Sequence, residues 1–256
     1  MNKASLIAGV ATAVAAGAIA FSLAPSAPKA GIEIVRDATV QLNLFTADGA
    51  LLGTCSGSLI DDPYKSDGDQ TTILTAGHCA TDDVSYATVN FGSVIGNVWV
   101  EGTSYGFTVA NKSDESDVAL YQAEIPTEVS SKLPEAVVYG GNVMFGDELT
   151  ISGFPLGLPQ DLVTGWASFI ECMPEFANVM GITSCEWLRS SALISPGSSG
   201  SGVYKLTSDG YQLVGVVSGG YSGFGDLFTK FSYIVTVENL RSFLEKFGNR
   251  DVPQEA

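Results

Sequence analysis

The stretch Pro196–Gly202 reads PGSSGSG and decides how the rest of the chain is interpreted. It is a turn of small residues between the apolar run Ala192–Ile194 and a strand-like run that begins at Val203. Glycines allow the backbone to fold tightly and to direct successive N–H groups toward one point. A serine at the tip of such a turn is suited to be a nucleophile whose oxyanion those N–H groups stabilise. Because Ser and Gly are also ordinary turn residues, this interpretation requires a general base elsewhere in the chain.

The chain has one histidine, His78, in the sequence TAGHC. Histidine is the usual general base for a serine, because as a residue type it titrates near neutral pH. A carboxylate completes such a site by holding the imidazole in one tautomer. Asp117 fits this role because it opens the apolar strand DVAL, and Asp114 and Asp82 are alternatives. The order His, Asp, Ser excludes the α/β-hydrolase arrangement, in which histidine comes last, and the subtilisin arrangement, in which aspartate comes first.

Five short motifs resemble those of the chymotrypsin-like serine proteases and occur in that family's order. Three of them carry the chemistry: TAGHC around His78, DVAL from Asp117 and GSSG from Gly197. The other two, GFPLGL at 153–158 and ALISPG at 192–197, resemble the HtrA-like (Deg) bacterial branch. The resemblance therefore implies a trypsin-like serine endopeptidase, without the PDZ domain that HtrA-like proteins usually carry.

The resemblance covers residues 34–247 and implies an all-β fold. We expect two antiparallel six-stranded Greek-key β-barrels followed by a C-terminal α-helix. The sequence agrees, because turn signals between short apolar runs recur about every 8–12 residues. We expect residues 31–130 to form the barrel with the histidine and aspartate, and residues 131–256 the barrel with the serine and the helix. Ile125–Pro134 is the predicted linker.

From Ile34 onward the sequence predicts short strands. They are Thr39–Phe45, Leu51–Ile60, Thr71–Thr75, Tyr86–Phe91, Val94–Glu101, Tyr105–Ala110, Val118–Glu124, Glu148–Ser152, Leu162–Glu171, Thr183–Arg189, Val203–Leu206, Gln212–Ser218 and Leu227–Ile234. Apolar residues at helical spacing then predict a helix over Val237–Phe247, with Thr236 as N-cap and Gly248 just past its end.

The resemblance assigns a role to each member of the predicted triad. Ser199 attacks a peptide carbonyl, His78 accepts and returns the proton, and Asp117 orients and stabilises the imidazolium. The N–H groups of Gly197 and Ser199 form the oxyanion hole.

The nucleophile has two neighbouring alternatives, Ser198 and Ser201. Ser199 is preferred because it lies two residues after Gly197 and directly before Gly200, as in the family motif.

The resemblance also places substrate-binding residues. In the family, the residue six before the nucleophile lies at the base of the pocket for the side chain preceding the cut. Here it is Leu193, so a preference for Arg or Lys lacks its counter-charge. A preference for glutamate would usually recruit a second histidine, which the chain lacks. Ser218, Gly219 and Gly220 match the strand that pairs with substrate backbone, and we expect cleavage after apolar residues.

Four cysteines, an even number, suit a compartment that permits disulfides. Their spacing resembles that of chymotrypsin-family disulfides and favours the pairs Cys55–Cys79 and Cys172–Cys185. The first pair would hold the loop that carries the histidine. One histidine and no paired CxxC spacing argue against a zinc site, so no metal or cofactor is expected.

Activation by a new N-terminus is not expected. Digestive members of the family are activated when a new N-terminal amine pairs with an aspartate directly before the nucleophile. Here that residue is Ser198, which carries no charge, and the family's IVGG start is missing. The oxyanion loop must be ordered otherwise, for which Pro196 is a candidate because proline limits backbone freedom.

The first 30 residues predict a signal peptide. A single basic residue, Lys3, precedes the uncharged, Ala-rich run Leu6–Leu23. Small-x-small cleavage sites occur at Ala18–Ala20 and Ala24–Ser26. We expect a secreted or periplasmic protein; the alternative is an uncleaved N-terminal anchor, the one case in which the chain would contact a membrane.

Charge and composition restrict the partners. A net charge of −16 argues against nucleic acid and anionic membranes, because both attract Lys and Arg. The expected partners are protein or peptide substrates. The alternative function is a non-catalytic peptide-binding or adhesin-like protein on a protease fold.

Overall fold

The structure is a computed structural model that describes residues 31–60, 70–90, 93–95, 98–100, 104–124, 140–170, 187–221 and 231–248. Its strands are β1 Thr39–Phe45, β2 Leu51–Ile60, β3 Gln70–Ala76, β4 Tyr86–Asn90, β5 Ser93–Ile95, β6 Val98–Val100, β7 Ser104–Ser113, β8 Val118–Glu124, β9 Glu148–Gly153, β10 Asp161–Ile170, β11 Trp187–Ser190, β12 Gly202–Thr207, β13 Gly210–Tyr221 and β14 Phe231–Thr236. Its helices are α1 Ile32–Ala38 and α2 Val237–Gly248.

Twelve of these strands form two closed antiparallel barrels. The first barrel has the strand order β1-β2-β3-β8-β7-β4, and the second has the order β10-β11-β14-β13-β12-β9. Counted from the first strand of each barrel, both orders read 1-2-3-6-5-4, although the sequence has no repeat. The predicted fold of two six-stranded barrels with a C-terminal helix is therefore confirmed.

Apolar side chains fill both barrels. In the first barrel the core includes Leu42, Ile73 and Leu120, all buried, and the cluster continues to Leu240 and Phe243 of α2. Burial of such a side chain contributes roughly 1.5–3 kcal/mol to folding. The helix packs on β13 and β14, and the Thr236 hydroxyl accepts a hydrogen bond from the Asn239 N–H at 3.4 Å, as the predicted N-cap requires.

Two predicted elements differ from the structure. Strands were expected from Ile34 onward, but the chain forms the helix α1 over Ile32–Ala38. Val35 and Ala38 lie three residues apart on one helical face and are both buried, so core packing selects the helix. The single strand expected over Val94–Glu101 is instead the short hairpin of β5 and β6.

Several sequence predictions lie outside the described residues. They are the signal segment 1–30, the linker Ile125–Pro134 and the pair Cys172–Cys185. Within the described ranges, no helix combines the length and apolarity needed to cross a membrane.

Polar side chains join the two barrels along their common face. The Ser58 hydroxyl of β2 lies 2.9 Å from the Tyr204 hydroxyl of β12, and the Thr39 and Ser152 hydroxyls lie 2.7 Å apart. All four residues are buried, so these bonds form away from water and restrict how one barrel sits on the other.

Candidate active site

His78 lies on a short 3₁₀ turn, Gly77–Ala80, that directly follows β3. Cys79 forms the predicted disulfide with Cys55 of β2, with the two α-carbons 6.3 Å apart. The buried Tyr121 hydroxyl donates to the Cys79 carbonyl oxygen at 2.7 Å. The turn is thus fixed to two strands of the first barrel. The His78 side chain that it carries is 41% exposed.

Asp117 is held in an uncommon backbone conformation, with φ at +51°. It lies between β7 and β8 and is only 3% exposed. Its loop approaches the histidine turn so closely that a Cβ on Gly77 would lie 2.9 Å from the Ser113 carbonyl oxygen and from the Val118 nitrogen. A residue without a side chain at position 77 therefore lets the carboxylate reach His78.

The imidazole and the carboxylate face each other directly. Nδ1 of His78 lies 3.1 Å from both Oδ1 and Oδ2 of Asp117, and the His78 N–H donates to Oδ1 at 2.7 Å. Burial raises the pKa of this carboxyl, but the hydrogen bond and charge of His78, together with the Ser218 bond, outweigh burial and hold the pKa below its usual value. An ionised Asp117 is therefore available to orient the ring and stabilise an imidazolium.

Ser218 has a contact that sequence reasoning missed. The expectation for Ser218 concerns its backbone, which would pair with substrate; in addition, its buried hydroxyl donates to Oδ2 of Asp117. A register shift between Val217 and Gly219 of β13 leaves Ser218 out of the strand pairing, and such irregularities redirect a side chain. No sequence signal revealed this contact, because it joins residues 101 positions apart.

The other two candidate carboxylates do not reach the imidazole. Asp82 is 95% exposed and lies 2.7 Å from Lys112, and Asp114 lies 3.8 Å from the same ammonium group. Asp117 is thus the candidate that the structure brings to His78.

The backbone N–H groups of residues 197–201 differ in whether they are hydrogen-bonded. Those of Ser198, Gly200 and Ser201 donate to main-chain carbonyls at 3.0, 2.8 and 3.0 Å. Those of Gly197 and Ser199 donate to no acceptor within the described part of the chain. The N–H groups of Gly197 and Ser199, on either side of Ser198, are therefore available as donors to an oxyanion. The three acceptors are the carbonyl oxygens of Ser195, Val217 and Ser198.

Exposure separates the three candidate nucleophiles. Ser198 and Ser201 are buried, whereas Ser199 is partly exposed. The Ser199 Oγ lies 3.5 Å from the Ser218 carbonyl oxygen and forms no hydrogen bond with His78 in the described structure. Such bonds are often long in the absence of substrate and tighten in the complex.

The predicted substrate-binding residues lie on both sides of this loop. Leu193 is exposed and borders a cavity of about 60 Å³ together with Ile151 and Val163. Gly219 and Gly220 follow the irregularity in β13 and pair with β14. Among the described residues, no three His, Cys, Asp or Glu side chains are grouped to hold a metal ion.

A comparison with protein families assigns the chain. Residues 53–216 match the trypsin-like peptidase domain family. This match covers more than half of the 256 residues, and the chain belongs to that family. The predicted class of protein is therefore confirmed. A comparison with curated protein sequences finds no match.

Solved structures similar to this chain include bacterial proteases of the HtrA type. A variant of the HtrA-type protease AlgW, with a tripeptide, has a TM-score of 0.63 and 15% identity over 86% of this chain and 64% of that one. The serine endoprotease from Yersinia pestis has a TM-score of 0.59 and 18% identity over 86% of this chain and 66% of that one. The present chain thus spans just under two thirds of each.

A further similar structure is nearer in length. The Rv3671c protease from M. tuberculosis, in its active form, has a TM-score of 0.58 and 17% identity over 88% of this chain and 86% of that one. At such low identity these likenesses establish the fold. They confirm the predicted two-barrel architecture and its similarity to the HtrA-like branch.

Proposed function

We propose that this chain is an exported serine endopeptidase that uses Ser199, His78 and Asp117. The observation that carries the proposal is the buried Asp117 carboxylate, which lies 3.1 Å from Nδ1 of His78 with both oxygens. A buried carboxylate bonded to one ring nitrogen of a half-exposed histidine leaves the other nitrogen as a base. The partly exposed Ser199, on a loop with two free N–H groups, supplies the nucleophile and the oxyanion hole.

The reaction follows from these positions. The Ser199 Oγ attacks the peptide carbonyl carbon while Nε2 of His78 takes the hydroxyl proton. The N–H groups of Gly197 and Ser199 stabilise the oxyanion of the tetrahedral intermediate. The C–N bond then breaks, His78 gives its proton to the leaving amine, and an acyl-enzyme remains on Ser199. Water attacks that ester in the same way and regenerates the serine.

Labelling with a fluorophosphonate probe tests this proposal, because only an activated serine reacts with it. We expect the wild type to be labelled and Ser199→Ala to remain unlabelled while it melts as a folded protein. Ser201→Ala is the matched control, since Ser201 lies in the same loop but is buried. It should retain labelling. An unlabelled wild type would favour the non-catalytic peptide-binding alternative. Loss of labelling in Ser201→Ala alone would show that Ser201, and not Ser199, is the nucleophile.

Cleavage after apolar residues is the proposed specificity. The exposed Leu193 beside Ile151 and Val163 offers an apolar surface. Asp161 also lines this cavity, but it is exposed and already accepts a hydrogen bond from the Leu162 N–H. A peptide library incubated with the wild type, and with Ser199→Ala as the blank, should yield new C-termini at apolar residues. Preferential cleavage after Arg or Lys would contradict this assignment.

Export is proposed from the segment 1–30 and supported by the disulfide. Disulfides form and persist in oxidising compartments, and Cys55–Cys79 lies next to the histidine turn. N-terminal sequencing of the protein recovered outside the cytoplasm should find a chain that begins near residue 30. An intact Met1 on that protein would indicate a retained anchor instead.

A further inference from the structure

Ser56, a fully buried residue of β2, contacts the Ser199 loop through its side chain and its backbone. Its hydroxyl donates to the Gly197 carbonyl oxygen at 2.8 Å and accepts from the Phe154 N–H at 2.8 Å. Its own N–H donates to the Ser199 carbonyl oxygen at 2.8 Å. Ser56 belongs to the first barrel, so these bonds cross to the second. Two of them end on Gly197 and Ser199, the residues whose N–H groups are free, and the third joins Ser56 to Phe154.

Because the peptide bond is planar, these contacts also restrict the directions of the neighbouring N–H groups. A carbonyl oxygen that is held on one side turns the N–H of the same trans peptide to the opposite side. Ser56 holds the carbonyls of the peptides 197–198 and 199–200. These two peptides flank peptide 198–199, which carries the Ser199 N–H. The first of them also shares its α-carbon with the peptide that carries the Gly197 N–H. Holding the flanking planes therefore restricts the direction of both free N–H groups.

The loop needs such a restraint from outside. Gly197 has φ of +93°, and glycine loses more conformational freedom on folding than any other residue. Ser198, next to it, carries no charge that could anchor the loop through an ion pair. The peptide 196–197 has one contact of its own, since the Leu156 N–H donates to the Pro196 carbonyl oxygen at 2.5 Å. The carbonyl oxygen of peptide 197–198 is held by the hydrogen bond from the Ser56 hydroxyl.

We infer that Ser56 is a positioning residue of the oxyanion hole. Its hydroxyl keeps the Gly197 carbonyl turned toward the first barrel, so that the N–H groups of Gly197 and Ser199 face one point. Ser56 does not touch the reacting atoms and acts through the loop. This inference rests on the proposed serine endopeptidase function.

The test compares Ser56→Ala with Ser58→Ala. Ser58 lies two residues further along β2, is equally buried, and bonds across the same barrel interface to the Tyr204 hydroxyl at 2.9 Å, away from the loop. The rate of fluorophosphonate labelling is measured for both variants and the wild type, because the phosphoryl oxygen of the probe occupies the oxyanion hole as Ser199 reacts. Melting temperatures are measured in parallel.

We expect labelling of Ser56→Ala to slow about tenfold or more, short of the roughly 10²–10³ that removal of a donor costs. Ser58→Ala should be labelled within about twofold of the wild-type rate. Its melting temperature should fall by about as much as that of Ser56→Ala, because each variant loses a buried hydrogen bond. Equal rates for Ser56→Ala and wild type would overturn the inference and leave the proposed function standing. Equal slowing in both variants would also overturn it, since the bond would then be structural only.

Two further outcomes are distinguishable. If the wild type is not labelled, the proposed function fails and the role of Ser56 fails with it. If Ser56→Ala does not fold, Ser56→Cys takes its place, because a thiol fits in nearly the same volume and is a weak donor. A slowed rate in that variant supports the inference, and an unchanged rate overturns it.

Discussion

Asp117 is the most constrained side chain of the candidate site. A carboxylate with so little exposure would be unstable unless donors compensated for its lost hydration. Three groups donate here: the imidazole and the N–H of His78, and the Ser218 hydroxyl. Because these donors favour the ionised form, the pKa of Asp117 lies below its usual value although burial opposes this. The residue thus supplies a fixed negative charge beside the ring.

Replacing that charge while keeping its shape should abolish most of the activity. We expect Asp117→Asn to lower kcat about 10⁴-fold, because an amide that donates to Nδ1 stabilises the wrong tautomer. Asp114→Asn is the control, since Asp114 lies at the surface beside Lys112 and should leave kcat unchanged. Steady-state kinetics on a peptide substrate measure both. A loss below about tenfold in Asp117→Asn would show that this carboxylate does not orient the base.

The lowered pKa of Asp117 also predicts a share of the acid sensitivity. A carboxyl whose pKa is lower in the folded than in the unfolded state stabilises the fold above the unfolded value of about 3.9. That contribution is lost as the pH falls through the folded value. The free energy of unfolding should therefore drop less between pH 6 and pH 3 in Asp117→Asn than in wild type. Equal decreases in the two proteins would contradict a lowered pKa of Asp117. The pKa values of Asp82 and Asp147 are also lowered, but both residues are present in both proteins, so their contributions cancel in the comparison.

At the scale of elements, the disulfide between β2 and the histidine turn joins two parts of the first barrel. The bond closes a loop with a sequence separation of 24 residues. It also fixes Cys79, the neighbour of His78, while the Tyr121 hydroxyl holds the Cys79 carbonyl. We therefore expect the stability of the barrel and the placement of the proposed base, His78, to depend on the same disulfide.

Removing this disulfide should lower both stability and activity. We expect the double variant Cys55→Ser, Cys79→Ser to lose about 3 kcal/mol of unfolding free energy, because the unfolded chain regains the freedom of the closed loop. Urea unfolding of both proteins measures the loss of stability. The rate of fluorophosphonate labelling measures whether His78 still activates the serine. The wild type treated with reductant is the control and should approach the variant. An unchanged midpoint would mean that the bond is dispensable.

Much of the element pattern could be predicted from sequence. The bounds of β1, β2 and β8 agree with those expected, because apolar runs there end at clear turn signals. The helix α1 was not foreseen, since its buried face has only Val35 and Ala38, and tertiary packing decides it.

Residues of the candidate site could be predicted only where the residue type and its sequence context are unusual. The single histidine, an acid at a strand edge and a serine between glycines stand out in the sequence. Ser56 and Ser218 do not, because their contacts join residues 141 and 101 positions apart and exist only once both barrels are closed.

On the scale of the whole molecule, the chain's own groups hold the loop that carries the proposed oxyanion hole. The Ser56 hydroxyl and N–H and the Leu156 N–H hold three of its carbonyls. The N-terminal part of the described chain is the helix α1, whose Val35 and Ala38 lie in the core. Ordering of the loop by a newly cut N-terminus is therefore not expected.

Blocking the N-terminus should leave activity intact. A chain that begins at Gly31 behind a non-removable tag should react with the fluorophosphonate probe as fast as the same chain without the tag, because no free amine is needed at Ser198. Labelling rates of the two purified proteins are compared directly. A tagged protein that stays inert until it is trimmed would reveal an activation step.

The polar bonds between the barrels have a genetic consequence. The imidazole and carboxylate of the proposed triad belong to one barrel and its serine to the other, so a small rotation at the interface between the barrels would separate the atoms that are proposed to exchange a proton. Both hydrophobic cores would survive such a rotation. Loss of both bonds together, Thr39–Ser152 and Ser58–Tyr204, rather than of the Ser58 bond alone, is therefore expected to produce a null allele whose product still accumulates as a folded protein.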